Sequence, residues 1–134
     1  MHRPLLALAI AALSIAGPAV AADTARLPVA PFATLPADVR HPESLDVDPA
    51  TGEVYVGTFD ARMPESARNN QLLRFAADGR LLAQRHFGPT PLTGVAFHNG
   101  QVYVLNFGAS KLQRLPARFD ADSAIEDVAT FAAV

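Results

Sequence analysis

Hydrophobic and polar residues alternate with a period of two through most of the chain after residue 40, in short segments separated by turn residues. No segment shows a sustained helical period. The pattern predicts an all-β fold made of two consecutive four-stranded antiparallel meanders. We expect strands near residues 43–48, 53–59, 71–76 and 80–87 in the first meander, and near 93–98, 101–107, 111–115 and 125–132 in the second.

The two meanders are copies of one unit. The tripeptide Val-Tyr-Val occurs at residues 54–56 and again at residues 102–104. The copies differ in the turn before this tripeptide, where residues 48–52 of the first copy are replaced by the two-residue hairpin signal Asn99-Gly100. A length difference confined to a turn is expected of a true structural repeat. The sequence therefore indicates a repeat architecture with a period of roughly 50 residues.

Four-stranded units of this length, stacked radially, are the blades of β-propellers, which contain typically 4 to 8 of them. We assign residues 39–88 to blade 1 and residues 89–134 to blade 2. Residues 23–38 form a leader, in which residues 32–35 are predicted as one more strand that would close a ring. Two blades alone leave apolar faces and sheet edges exposed. We therefore expect either further blades in a longer reading frame or self-association.

The first 22 residues have the features of an export signal: a basic start at His2 and Arg3, an apolar run over residues 5–15, and small residues before Asp23. This predicts a periplasmic or secreted protein with no stable membrane anchor after cleavage. A retained anchor is the alternative, because the stretch from Leu5 to Ala22 approaches the roughly 20 apolar residues that span a membrane.

Composition narrows the classes of partner and stabilising element. The chain contains no Cys, so an exported protein of this size must rely on its core, its partners or a metal rather than on disulfides. Its net charge of −2 is unlike that of a basic nucleic-acid-binding surface. We expect a small-molecule ligand or substrate and no nucleic-acid partner.

Antiparallel meanders bring the start of the first strand, the end of the second and the start of the third to one rim. Glu43 and Asn106 are the candidate metal ligands there, because Ca²⁺ or a similar divalent cation takes six to eight oxygen ligands. A solvated strand start at Glu43 and a local turn bond at Asn106 are the alternatives. The candidate substrate-binding residues of the rim are His41, Asp60, Arg62, Asn69 and Asn70. For the loop that carries most of them, simple length variation is the alternative.

Other polar residues are expected to be structural. Asp48 and Asp78 each precede a turn, where the carboxylate can accept a hydrogen bond from the following backbone. The histidines lack the close spacing of a zinc motif. Ser44 lacks the Gly-x-Ser-x-Gly setting of a nucleophile elbow, and no catalytic residue is predicted.

One family shares the turn and strand motifs of the first copy. These are Pro42-Glu43-Ser44, Asp48-Pro49, Gly52, Val54-Tyr55-Val56-Gly57, Leu73-Arg74-Phe75 and Asp78-Gly79. The segment resembles the blades of the senescence-marker-protein/gluconolactonase (regucalcin-like) family over about residues 30–132. The resemblance implies a six-bladed propeller that binds a Ca²⁺-type cation and hydrolyses lactones. It places Glu43 at the family's first-blade metal ligand, although the family's flanking Gly and Pro are missing here.

Two alternatives to a metal-dependent lactone hydrolase stay open. Propellers of the NHL type share the same turn residues, so the chain is also compatible with a non-catalytic binding or sensor propeller. The second alternative is an inactive fragment of a longer propeller protein. Oxygen-bearing residues at further blade starts would favour the enzyme, and their absence would favour the binding protein.

Overall fold

A computed structural model of the chain describes residues 27–132, and the predicted export signal at residues 1–22 lies outside this range. The described residues form eight strands and two short 3-10 turns, at Glu65–Ala67 and Phe107–Ala109. None of their helical segments is long and apolar enough to cross a membrane. The strands are β1 (Pro42–Val47), β2 (Val54–Thr58), β3 (Asn70–Phe75), β4 (Leu81–Gly88), β5 (Leu92–His98), β6 (Gln101–Asn106), β7 (Lys111–Pro116) and β8 (Glu126–Thr130).

The strands form two four-stranded sheets with the orders β1-β2-β3-β4 and β5-β6-β7-β8. Every pair of neighbours is antiparallel. The predicted all-β fold of two four-stranded meanders is therefore confirmed, with strand ends close to those expected from the period-two pattern.

The register of the two sheets confirms the repeat. Leu45 lies opposite Val56 in the first sheet, as Val95 lies opposite Val104 in the second. On the other side of the same strands, Tyr55 pairs with Arg74 and Tyr103 pairs with Arg114. Residues that correspond in sequence therefore occupy corresponding places in space.

The turns follow the predicted local chemistry. Asn99 and Gly100 both have positive φ, 48° and 73°, which is the requirement of the two-residue hairpin turn whose twist matches that of the strands. The carboxylates of Asp48 and Asp78 each accept a hydrogen bond from the backbone N–H two residues later, at 2.9 Å and 3.0 Å. Their predicted structural role is confirmed.

The two sheets pack against each other, with β5 lying against β1 and β2. Alternation along each strand sends one set of apolar side chains into the space between the sheets. This arrangement is expected of neighbouring propeller blades, whose first strands are adjacent. The buried residues of this common core are Tyr55, Leu72, Phe87, Leu92, Val102, Val104, Leu115, Ala117 and Phe119.

The leading strand predicted at residues 32–35 is not observed, since these residues have no strand pairing. The segment crosses the outer face of the first sheet instead. The Phe32 ring stands edge-on to Phe75 with centroids 6.4 Å apart, and Leu35 packs with Val39 against the same cluster. A lone strand needs a free sheet edge, whereas this segment contacts a sheet face through Phe32, Leu35 and Val39. The first sheet thus contacts the leader over part of one face and the second sheet on the other face.

Candidate functional site

Glu43 lies on a β-bulge at the start of β1. The pairing of β1 with β2 shifts register between Pro42 and Ser44, so Glu43 is the extra residue. The pairing of β5 with β6 shifts at the corresponding place, where Thr93 is the extra residue. Bulges re-aim side chains and are common beside functional sites. Each blade therefore presents one re-aimed side chain at the same rim, and only that of blade 1 carries a charge.

A cleft of about 290 Å³ opens beside Glu43. Its charged side chains, Glu43 and Arg62, are exposed, and neither makes a hydrogen bond within residues 27–132. The cleft thus combines one acceptor group and one donor group with an apolar wall. Its lining residues are His41, Pro42, Glu43, Phe59, Ala61 and Arg62. Three of the residues predicted for the rim, His41, Glu43 and Arg62, are brought together here.

Asp60 lies beside the cleft but is held by the protein itself. Its side chain is completely buried, and Oδ2 accepts hydrogen bonds from Arg40 Nη2 at 3.0 Å, Arg40 Nε at 3.2 Å and Asn69 N at 3.2 Å. Burial would raise the pKa of the Asp60 carboxyl, but the Asn69 N–H and the Arg40 guanidinium outweigh it and hold the pKa below its ordinary value. Asp60 is therefore ionised, and its charge is balanced by Arg40.

The second carboxylate oxygen of Asp60 is different. Oδ1 is buried and has no hydrogen-bond partner among the described residues, and His41 Nε2 lies 4.0 Å from it. His41 has a φ of 51°, in the left-handed region that residues other than glycine rarely adopt. This backbone conformation places the imidazole between Asp60 and the cleft, since His41 also lines the cleft.

Asn69 and Asn70 hold the long loop in place. Asn70 is buried, its Oδ1 accepts a hydrogen bond from Asp60 N at 2.6 Å, and its Nδ2 donates to Gly88 O at 3.4 Å. Asn69 Nδ2 donates to Asp38 Oδ2 at 3.2 Å. Both amides are used in fixing the loop rather than presented to the cleft.

Asn106 lies at the rim of blade 2, away from Glu43's cleft. Its Oδ1 accepts a hydrogen bond from Ala109 N at 3.2 Å, and its Nδ2 donates to Gln113 Oε1 at 2.9 Å. The side chain is 5% exposed. The bond from Ala109 N is a local turn bond, as in the alternative interpretation of this residue, and the bond to Gln113 joins β6 to β7.

Sequence reasoning missed Arg40 and Phe59. Arg40 belongs to no motif, and its bond to Asp60 spans 20 residues of sequence. Phe59 had a usable signal, because the repeat places it in register with Phe107. The Phe59 and Phe107 N–H groups donate to His41 O and Pro91 O at 2.8 Å and 2.9 Å, and the two rings lie 6.0 Å apart. The aromatic pair joins the rims of the two blades.

The residues of the cleft do not by themselves make a metal centre. Ca²⁺ takes six to eight oxygen ligands. Within residues 27–132 no group of three His, Asp or Glu side chains is placed to hold a metal ion. Glu43 offers one carboxylate, while the Asp60 carboxylate is already paired with Arg40. A metal bound at Glu43 would need most of its ligands from outside the described residues.

The comparisons with known proteins return no match: no family model, no curated protein and no solved structure is similar to this chain. The functional conclusion therefore depends on the geometry of the rim and on the residues that form it.

Proposed function

We propose that the chain supplies two blades of a β-propeller whose rim cleft, formed by His41, Glu43 and Arg62, binds a small polar ligand. The observation that carries this proposal is the pair of opposite charges, Glu43 and Arg62, that line one cleft without bonding to other described residues. Charged side chains that converge on a cleft are the usual means by which a site orients a ligand. A ligand would therefore find one acceptor and one donor already available.

The chemistry of the cleft narrows the class of ligand. The Arg62 guanidinium suits a carboxylate, because its donors form a planar fork. The Glu43 carboxylate suits hydroxyl groups, and Phe59 and Pro42 form an apolar wall for a carbon skeleton. We infer a small hydroxy acid of the sugar-acid type. This inference agrees with the lactone and sugar-acid chemistry that the regucalcin-like resemblance implies.

The surrounding structure supports a binding role because it is held rigid. Asp60, Arg40 and the two asparagines bond to one another and fix the loop before a ligand arrives. A preformed site loses less conformational entropy on binding than a mobile one. Arg62 lies on this loop, so its backbone is placed by the same bonds.

Calorimetric titration of the purified chain with gluconate tests the proposal. We expect Glu43→Gln and Arg62→Met each to weaken binding by about tenfold or more, because a hydrogen bond to a charged group contributes about 1.5–3 kcal/mol. Glu65→Gln, an exposed acid in the same loop, is the matched control and should bind like the unmodified chain. Equal affinity in all four proteins would contradict the assignment of the cleft.

A metal-dependent lactone hydrolase is the second candidate. It is favoured by the position of Glu43, which is re-aimed by the bulge at the place where the regucalcin-like family has a metal ligand. Titration of the chain with Ca²⁺, followed by an assay of acid release from gluconolactone, separates the two candidates. Ca²⁺-dependent hydrolysis that is lost in Glu43→Gln would favour the enzyme, and gluconate binding that is insensitive to Ca²⁺ would favour the binding protein.

Export to the periplasm or the exterior is part of the same proposal. The motive is the basic start, apolar run and small-residue site at residues 1–22, which lie outside the described range. Mass spectrometry of the protein from its cell envelope and medium would detect a mature chain that begins near Asp23. Detection of an unprocessed chain that begins at Met1, in the cytoplasm and not in the envelope or medium, would contradict export.

A further inference from the structure

The contact between the two blades shows which side chains pack together where the face of one blade meets the face of the next. Val95 and Phe97 of β5 lie on Gly57 and Tyr55 of β2. A Cβ added at Gly57 would stand 2.8 Å from Val95 Cγ2, and the rings of Tyr55 and Phe97 stack with centroids 5.9 Å apart. Within the common core, this part of the interface therefore sets two apolar residues of a first strand on two residues of the preceding blade's second strand.

The repeat supplies a second first-strand surface and a second second-strand surface. In the described residues both of them are exposed. In the repeat, Leu45 and Val47 of β1 take the places of Val95 and Phe97, and they are 64% and 40% exposed. Leu105 of β6 takes the place of Gly57 and is 40% exposed. Residues 27–132 thus leave a first-strand surface of blade 1 and a second-strand surface of blade 2 uncovered.

The open face of blade 2 contains an apolar groove of about 340 Å³. Leu105 lies over Gly94, since a Cβ at Gly94 would be 3.1 Å from Leu105 Cδ1. Blade 1 has Gly57 and Ser44 at these two places, so a large side chain is present on β6 where β2 has a glycine. The groove is lined by Gly94, Val95, Ala96, Tyr103, Leu105 and Leu112.

The leader covers only part of the corresponding surface of blade 1. Leu35 and Val39 pack on a cluster from β2, β3 and β4, formed by Val54, Val56, Leu73, Phe75 and Leu81. Leu45 and Val47 of β1 stay exposed beside this cluster. A partner strand can therefore reach Leu45 and Val47 while the leader stays in place.

We propose that a second copy of this chain occupies the groove, head to tail, with Leu45 and Val47 of one copy set against Leu105 and Tyr103 of the next. The proposal rests on the assignment of the sheets as propeller blades, but not on the ligand of the cleft. Because the two surfaces differ, the contact is heterologous, and such contacts form rings when the rotation closes.

Thiol cross-linking tests the contact directly, because the chain has no Cys of its own. Two single-cysteine variants, Val47→Cys and Tyr103→Cys, are treated with a short thiol-specific cross-linker, separately and mixed. We expect covalent dimers in the mixture and none in either variant alone. Asp78→Cys, at an exposed hairpin turn, replaces Val47→Cys in the control mixture and should give none.

Sedimentation adds a second readout. We expect the unmodified chain to form a discrete oligomer and Leu105→Asp to be a folded monomer, whereas Val29→Asp, at a residue 98% exposed in the leader, should still assemble. The proposal is overturned if the mixed cysteine variants fail to cross-link while folded, or if one variant cross-links to itself. It is also overturned if the unmodified chain is monomeric at every concentration. None of these outcomes depends on gluconate binding, so the two proposals can fail separately.

Discussion

The rings of Tyr55 and Phe97 stack in parallel across the two sheets, with an interplanar angle of 2°. Tyr55 belongs to β2 and Phe97 to β5, so this stack joins the two copies of the repeat. A hydrogen bond also joins the two copies: Asp46 Oδ2 of β1 accepts it from Phe97 N of β5 at 2.7 Å. The contact between sheets is therefore specified by both packing and hydrogen bonding.

We expect Phe97→Ala to lower the free energy of unfolding by about 2 kcal/mol, below the value for a fully buried ring because Phe97 is half-buried. A double-mutant cycle with Tyr55→Ala, measured by urea denaturation, should give a coupling energy of about 0.5–1.5 kcal/mol for the stacked pair. Val29→Ala is the control, because that residue is 98% exposed and its truncation should change stability little. A coupling energy of zero would show that the stack contributes nothing specific.

Gly57→Ala should destabilise the chain by about 1–3 kcal/mol, because the added methyl group would meet Val95 Cγ2 at 2.8 Å and force the sheets apart. The companion variant Gly57→Ala with Val95→Ala removes the clashing atoms. In a thermal melt, Gly57→Ala should therefore lower the melting temperature less in a chain that carries Val95→Ala than in the unmodified chain. If the losses of stability caused by Gly57→Ala and Val95→Ala simply add in the double variant, the two residues do not limit the approach of the sheets.

Arg40→Met should lower the free energy of unfolding at neutral pH by about 2 kcal/mol, because it leaves the buried Asp60 carboxylate without its cation. The full penalty of a deeply buried pair is not expected, since the Arg40 side chain is 41% exposed. Arg62→Met removes the same charge at a side chain without hydrogen bonds to described residues. It is the control and should leave urea denaturation unchanged.

The pKa of Asp60 also predicts an acid limit to stability. Because the folded-state pKa lies below the unfolded value of 3.8, the contribution of the carboxylate is present above that pH and is lost as the pH falls through the folded-state pKa. We expect the stability of the unmodified chain to decline in this range. Asp60→Asn should show a smaller decline in urea denaturation below the same pH, and an equal decline would assign the effect to other groups.

Tyr55 predicts a limit at the alkaline end. Burial, followed by the nearby Glu53 and Asp48 charges, raises the pKa of the Tyr55 phenol from 10.0 to about 12. A raised folded-state pKa stabilises the folded chain below pH 10.0 and loses that contribution as the pH rises towards the folded-state value. Ultraviolet titration should show a late ionisation step that is missing in Tyr55→Phe. Its persistence in that variant would contradict the assignment.

The candidate site was only partly predictable from the sequence. The rim geometry of a meander brought His41, Glu43 and Arg62 together as expected, because the ends of antiparallel strands meet at one edge. The same reasoning could not distinguish Asp60 from them. Whether a rim carboxylate is presented or buried depends on a partner, and Arg40 becomes that partner only when the chain before β1 and the loop after β2 are folded together.

The strands and turns were determined by the sequence itself. Alternation selects the face of each side chain, and Asn99-Gly100 and the aspartates that start turns select where the chain reverses, which are local effects. The tertiary structure alone decided where the leader lies and which apolar face stays open. Those outcomes depend on contacts between segments that are distant in sequence: the Phe32 ring packs on Phe75, and no described residue covers Leu105.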